Sequence, residues 1–184
     1  GEVLDKAAAG DFRANMLAGE YWMGLYYLNR GDLPLACLEH MQHFFRDAAT
    51  ASGHPAPKLM MTDPYGIFGI FKAQPMQPEH AEWLAACRKL AEKGDMDAVT
   101  ALYTVTDLPE AELRRYLAPL EKKAASGDQD ALAQLAFIKV DWLKENPANV
   151  IETLKQYRKN AKPVLLARIG ELALALDGKD GRGW

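Results

Sequence analysis

Two histidines three positions apart, His40 and His43, with Asp47 four further on, are the residues best spaced for metal chemistry. On a helix the three would share one face, because positions three, four and seven apart recur on the same side. Imidazole nitrogens and a carboxylate oxygen are donor types that bind zinc, and a closed structural site takes four of them. Glu39 precedes the set, but no fourth donor lies nearby, and the H-E-x-x-H order that brings a general base beside two ligands is absent. The plainer reading is a pair of helix-surface histidines, with no metal or other cofactor. A metal-dependent enzyme built on His40, His43 and Asp47 is the weaker alternative.

No other catalytic signature appears. There is no nucleophile elbow, phosphate loop, dinucleotide fingerprint or close pair of acid–base carboxylates. Cys37 and Cys87 have neither redox nor metal spacing, and each follows an alanine in an amphipathic run, so both read as small core residues. A net charge of -3 argues against nucleic acid as a partner, since that role needs a basic surplus. No apolar run approaches the ~20 residues that a spanning helix needs. The chain begins at Gly1 rather than Met, which suggests a trimmed or processed product. A non-enzymatic protein is expected.

Aromatic side chains are the more informative candidates. Tyr21, Trp22, Tyr26 and Tyr27 crowd one segment, more than a single apolar stripe requires. At helical spacing Trp22 and Tyr26 face the core while Tyr21 and Tyr27 point elsewhere. Tyrosine and tryptophan are the usual anchors of protein interfaces. The stretch His54 to Pro64 adds Met60, with Tyr65 and Phe71 beyond it, and Tyr103 and Trp142 lie on later segments. Tyr21, Trp22, Tyr27, Met60, Tyr65, Phe71, Tyr103 and Trp142 are therefore the candidate partner-binding residues.

These residues must be positioned by a scaffold, and its punctuation is visible. A-x-x-G-D-x-x-A occurs three times, at Ala7–Ala14, Ala91–Ala98 and Ala124–Ala131. A glycine adopts the left-handed conformation that ends a helix, and an aspartate after it accepts from the free N–H groups that open the next. Each Gly-Asp, including Gly31-Asp32, thus marks a tight helix–helix junction. Eight residues after the junction glycine comes an apolar residue, as in Ala18-Gly19, Leu102-Tyr103 and Leu135-Ala136. Phe68-Gly69 lies 34 positions before Leu102, and Ile169-Gly170 lies 34 after Leu135. The run PYGIFGIFKA at 64–73 is then the first helix of a repeat, and a period of 33–34 is that of helical-hairpin arrays.

The expected fold is all-α: a right-handed α-solenoid of about four antiparallel hairpins plus a closing helix. Helices are expected near 12–30, 33–52, 66–73, 78–93, 95–106, 109–125, 128–145, 147–160 and 162–176. Residues 1–176 form one domain in this reading, with an irregular connector near 54–64, open repeat boundaries over 50–78, and a flexible tail over 177–184. Pro119 should kink its helix or end it early.

The pattern of the junctions, with PEHAEWLAACRKLAEKGDMDA at Pro78–Ala98 as its best stretch, resembles the Sel-one-like repeats, relatives of the tetratricopeptide repeats. The resemblance runs from about Ala7 to Ala175 with degenerate repeats; Trp22 stands where the family usually has a tyrosine. It implies an adaptor or regulatory scaffold that binds another protein, in bacteria often an exported or periplasmic one, with the cytoplasm as the alternative. The partner would be a receptor or, in an alternative reading, a toxin enzyme neutralised by an immunity protein. An open stack also leaves an apolar end, so dimerisation through the closing helix is plausible.

Overall fold

The computed structural model describes residues 1–28, 34–61 and 78–180, and these are helical with no strand among them. The helices are α1 (Glu2–Ala8), α2 (Phe12–Leu28), α3 (Pro34–Ser52), α4 (Pro55–Met60), α5 (Pro78–Ala91), α6 (Met96–Val105), α7 (Glu110–Ala125), α8 (Gln129–Asp141), α9 (Pro147–Lys155) and α10 (Pro163–Asp180). Residues 1–113 and 114–184 form two compact units.

The Gly-Asp junctions carry one hydrogen-bond pattern three times. Gly10, Gly94 and Gly127 have φ of 84°, 82° and 87°. Their N–H groups donate to Ala7 O, Ala91 O and Ala124 O, and those of Asp11, Asp95 and Asp128 donate to Lys6 O, Leu90 O and Lys123 O. This pair of bonds closes a helix by satisfying its last carbonyls. The aspartate then opens the next helix. Asp11, Asp95 and Asp128 accept through Oδ1 from the N–H of Ala14 at 2.7 Å, Ala98 at 2.9 Å and Ala131 at 3.1 Å. All six alanines of the motif are buried, so each motif position has a role: small core residue, stop, start, small core residue. Gly31-Asp32 lies outside the described residues, as do Phe68-Gly69 and the expected helix at 66–73.

Unit 1 is built on α2 packed along α3, with α1 on α2 and α4 bridging to α3, α5 and α6. Gly19 lets α3 approach closely: Phe45, fully buried, fills the space where a side chain at 19 would stand. Asn15, also fully buried, donates from Nδ2 to Ala7 O at 3.1 Å and Asp11 O at 3.0 Å, fastening the end of α1 to the start of α2.

The 54–64 connector, expected to be irregular, contains a helix. Its prolines stand at the first and third positions of α4, where N–H groups have no partner within the helix in any case. His54 caps it, accepting through Nδ1 from Ala56 N–H at 3.1 Å.

In unit 2, α8 packs on α9 and both pack on α10. Asn146 caps α9, its Oδ1 accepting from Ala148 N–H at 2.9 Å, with Pro147 first in the helix as expected. Pro119 does not end its helix, since α7 continues six residues past it. Pro109 stands one residue before α7, where its carbonyl accepts from Leu113 N–H at 2.9 Å. α10 reaches residue 180, four beyond the expected end at 176.

Candidate functional site

The aromatic candidates divide by burial. Tyr21 is 63% exposed, and its ring meets that of Trp22 edge-on at 5.9 Å. Trp22 is half-buried and stacks on His40 at 4.3 Å with an interplanar angle of 23°. This stack braces Tyr21 from α3. One turn before Tyr21 on the same helix face stands Leu17, 40% exposed, while α1 exposes Val3 and Leu4. Leu17 and Tyr21 thus lie exposed together on one face of α2. Leu17 itself was missed, because an apolar residue in an amphipathic run reads as core until its face is known.

Met60 corrects that reading: it is only 1% exposed. α4 turns Leu59 and Met60 inward together, so the methionine fills the core of unit 1 rather than facing a partner. Tyr103 lies half-buried on α6. Trp142 stands at the end of α8, edge-on to Phe137 at 6.1 Å, and Phe137 carries the Arg168 guanidinium at 4.9 Å over its ring. Trp142 belongs to unit 2 and has that packing role there. Tyr65, Phe71 and the side chain of Tyr27 lie outside the described part of the chain.

The histidine set is dispersed. His40 faces Trp22, and His43 Nε2 stands 3.8 Å from Asp47 Oδ2 at the surface. Among the described residues no three histidine, cysteine or acidic side chains are grouped to hold a metal.

The densest chemistry lies where α2, α4 and α6 meet in unit 1, and sequence spacing gave no sign of it. Arg13 on α2 pairs with Asp97 on α6. His54 Nε2 stands 3.2 Å from Asp95 Oδ2, with the Phe12 ring centred 5.4 Å from the imidazole. The His54 bond, supported by capping from Ala98 N–H, holds the Asp95 carboxyl below its usual range against the opposing effect of burial. Burial pushes Asp97 the other way, opposed by the Arg13 charge. Glu20, seven residues beyond Arg13 on α2, is raised by burial to about 7.

A histidine paired with an aspartate resembles half of a catalytic relay, but both ring nitrogens of His54 are engaged. Nδ1 accepts from the backbone and Nε2 faces Asp95, so neither is free to take a proton from a substrate. The dyad joins the starts of α4 and α6. The thiol of Cys87 is pushed up to about 12 by burial and then by the Asp95 charge, which removes it as a nucleophile. In unit 2, a cleft of about 110 Å³ between α8 and α9 is lined by residues including Leu135, Val150, Leu154, Lys139 and Asn149.

No described helix is long and apolar enough to cross a membrane. Compared with protein-family models, curated proteins and solved structures, the chain matches none.

Proposed function

We propose that the chain is a non-enzymatic protein-binding module of the helical-repeat kind, with a binding face that includes Leu17 and Tyr21 on α2. The observation that carries this is the exposure of Tyr21 together with its bracing. A tyrosine held by Trp22, itself stacked on His40, loses little side-chain freedom when a partner covers it. Exposed tyrosine beside exposed leucine is also the composition of an interface anchor with its apolar surround.

The Sel-one-like solenoid is part of the same proposal. Its support is the stop–start junction that recurs at Gly10, Gly94 and Gly127 with the same bonds each time. Chains of such hairpins offer extended surfaces to other proteins. An adaptor role and an inhibitor role use such a surface alike; the activity of the captured partner separates them.

The test is capture from the native lysate with three proteins: wild type, Leu17→Ala/Tyr21→Ala, and Leu174→Ala, which removes an exposed leucine in unit 2. The expected result is one stoichiometric partner retained by wild type and Leu174→Ala and lost from the double variant, whose circular dichroism is unchanged. A partner held equally by all three would overturn the assigned face.

A further inference from the structure

The Gly-Asp stop and start has an altered copy at Gly53-His54. Gly53 has φ of 66°, in the left-handed region that Gly10, Gly94 and Gly127 also occupy. His54 has φ of -61° and ψ of 138°, near the -72° and 108° of Asp95 and the -64° and 110° of Asp128. Like those aspartates it caps the helix that follows, but with an imidazole nitrogen in place of a carboxylate oxygen. The helix before it closes by other bonds: Gly53 N–H donates to Ala49 O at 3.0 Å and His54 N–H to Ser52 Oγ at 3.1 Å. The start of α4 is thus a junction of the same kind with its capping residue exchanged.

The two kinds of cap respond differently to a proton. A carboxyl that gains one keeps an acceptor oxygen, whereas an imidazolium has two N–H donors and no acceptor. Ala56 N–H donates to His54 Nδ1 at 3.1 Å, so the proton of the neutral ring stands on Nε2 and donates to Asp95 Oδ2 at 3.2 Å. Ala56 is fully buried, and its N–H lies in the opening turn, where no carbonyl of the helix can reach it. Without Nδ1 it becomes a buried donor with no acceptor.

The charged groups facing the ring come from α6 and α2. Asp95 touches it, Asp97 feels its charge, and Arg13 of α2 is paired with Asp97. The Phe12 ring lies 5.4 Å from it. Cys87 of α5 faces Asp95 but is kept neutral by burial. Among the described residues, α3 bonds to His54 through Ser52 and brings no charged side chain into bonding contact with the ring. The His54 bond, the largest of several causes, holds the Asp95 carboxyl below its usual range, so Asp95 stays an ionised acceptor near neutrality.

We propose that His54 is an acid-released clasp: uncharged, it caps α4 and holds α6 at once; protonated, it keeps Asp95 and lets go of Ala56. A proton on Nδ1 sets a donor against the Ala56 N–H, while the charge on the ring strengthens the Nε2–H bond to Asp95. The first turn of α4 therefore loosens as pH falls, and the start of α6 does not. Among the described caps His54 is the one that a proton can empty, since Asp11, Asp95 and Asp128 keep an acceptor and Asn146 does not titrate. Leu59 and Met60, buried at the far end of α4, keep the rest of that helix in the core. Neither arm of the clasp involves Leu17 or Tyr21, so it stands apart from the proposed binding face.

The test follows the full chain by NMR from pH 8.5 down to 5. Ring nitrogen-15 shifts of His54 at the alkaline end give the tautomer, and ring carbon-13 shifts give the fraction charged. Amide exchange at Ala56 and Ala98, corrected for intrinsic rates, reads the two caps. The expected tautomer carries its proton on Nε2. Opening at Ala56 should rise by about fivefold to a hundredfold as the ring charges, the loss of one buried hydrogen bond, while Ala98 changes by less than about twofold. His54→Asn supplies a capping oxygen and an amide donor for Asp95 without a titrating group, so its Ala56 exchange should stay flat. A proton on Nδ1 at pH 8.5, a ring still uncharged at pH 5, or Ala56 protection that ignores the ring charge overturns the clasp. So does a rise shared equally by Ala56 and Ala98, or an equal rise at Ala56 in His54→Asn. If His54→Asn does not fold, the wild-type tautomer and the contrast between Ala56 and Ala98 decide the question.

Discussion

Gly19 on α2 lies against the ring of Phe45 on α3 so closely that a Cβ there would stand 2.5 Å from Cε1. Phe45 is fully buried, so its ring has no free space to retreat into. The contact fixes how near the two longest described helices of unit 1 come to each other. Gly24, one turn and a residue further along α2, would meet nothing within 4 Å.

Gly19→Ala and Gly24→Ala should therefore move stability in opposite directions. Overpacking costs about 1–3 kcal/mol, against a gain of about 1 kcal/mol from replacing glycine inside a helix. The first variant should lower the urea midpoint and the second raise it. Equal shifts would mean that the α2–α3 contact is looser than described.

The junction residues give graded losses. Asp128→Ala removes a cap and should cost about 1 kcal/mol. Asp95→Ala removes a cap and also the partner of His54, so its loss should be about twice as large. Asp95 is held below its ordinary value of 3.8, so it contributes stability above that pH and loses it as pH falls through the folded value. Acid unfolding curves of wild type and Asp95→Asn should converge at low pH.

Lys144 follows α8 with φ of 57°, a left-handed backbone without glycine. Its neighbour Glu145 donates from N–H to Lys139 O at 2.8 Å, so the chain turns back on the end of α8 there without a glycine. Lys144→Gly should raise stability by about 1 kcal/mol, read as an increase in Tm, while Gly127→Ala should lower it by a similar amount.

Pro119 lies inside α7 between the buried Leu117 and Leu120. It removes one backbone donor from the helix ladder and crowds the preceding turn, a defect of about 3 kcal/mol in a helix interior. Pro119→Ala should stabilise the protein, by less than that figure where the surrounding core has adapted to the proline. A lower urea midpoint would show that the proline ring itself is needed for packing.

Cys37 and Cys87 are both buried free thiols. At pH 8 the native protein should react with neither a disulfide reagent nor iodoacetamide on the minute timescale, and two thiols should appear on unfolding. Fast labelling of Cys87 in the native state would contradict both its burial and its raised thiol.

The positions of helix ends could be read from the chain because the bonds that make them are local. The donors and acceptors of each A-x-x-G-D-x-x-A junction lie within the motif and the residue just before it, and all three copies form the bonds. The same reading missed α4, because Pro55 and Pro57 were weighed as helix breakers when they occupy its first turn. It also counted Met60 among the partner-binding candidates, because an apolar residue in a presumed loop has no face until the loop has a shape.

The sequence alone determined an all-helical chain and the chemistry of its turns, since both depend on neighbours a few positions apart. Tertiary structure decided that Arg13 meets Asp97 and that His54 meets Asp95, across 84 and 41 residues. It also decided that Leu17 and Tyr21 face outward while Met60 faces in. Helical period fixes which side chains share a face, but only the packing of other helices fixes which face is covered. For Glu20, that covering sets its proton affinity.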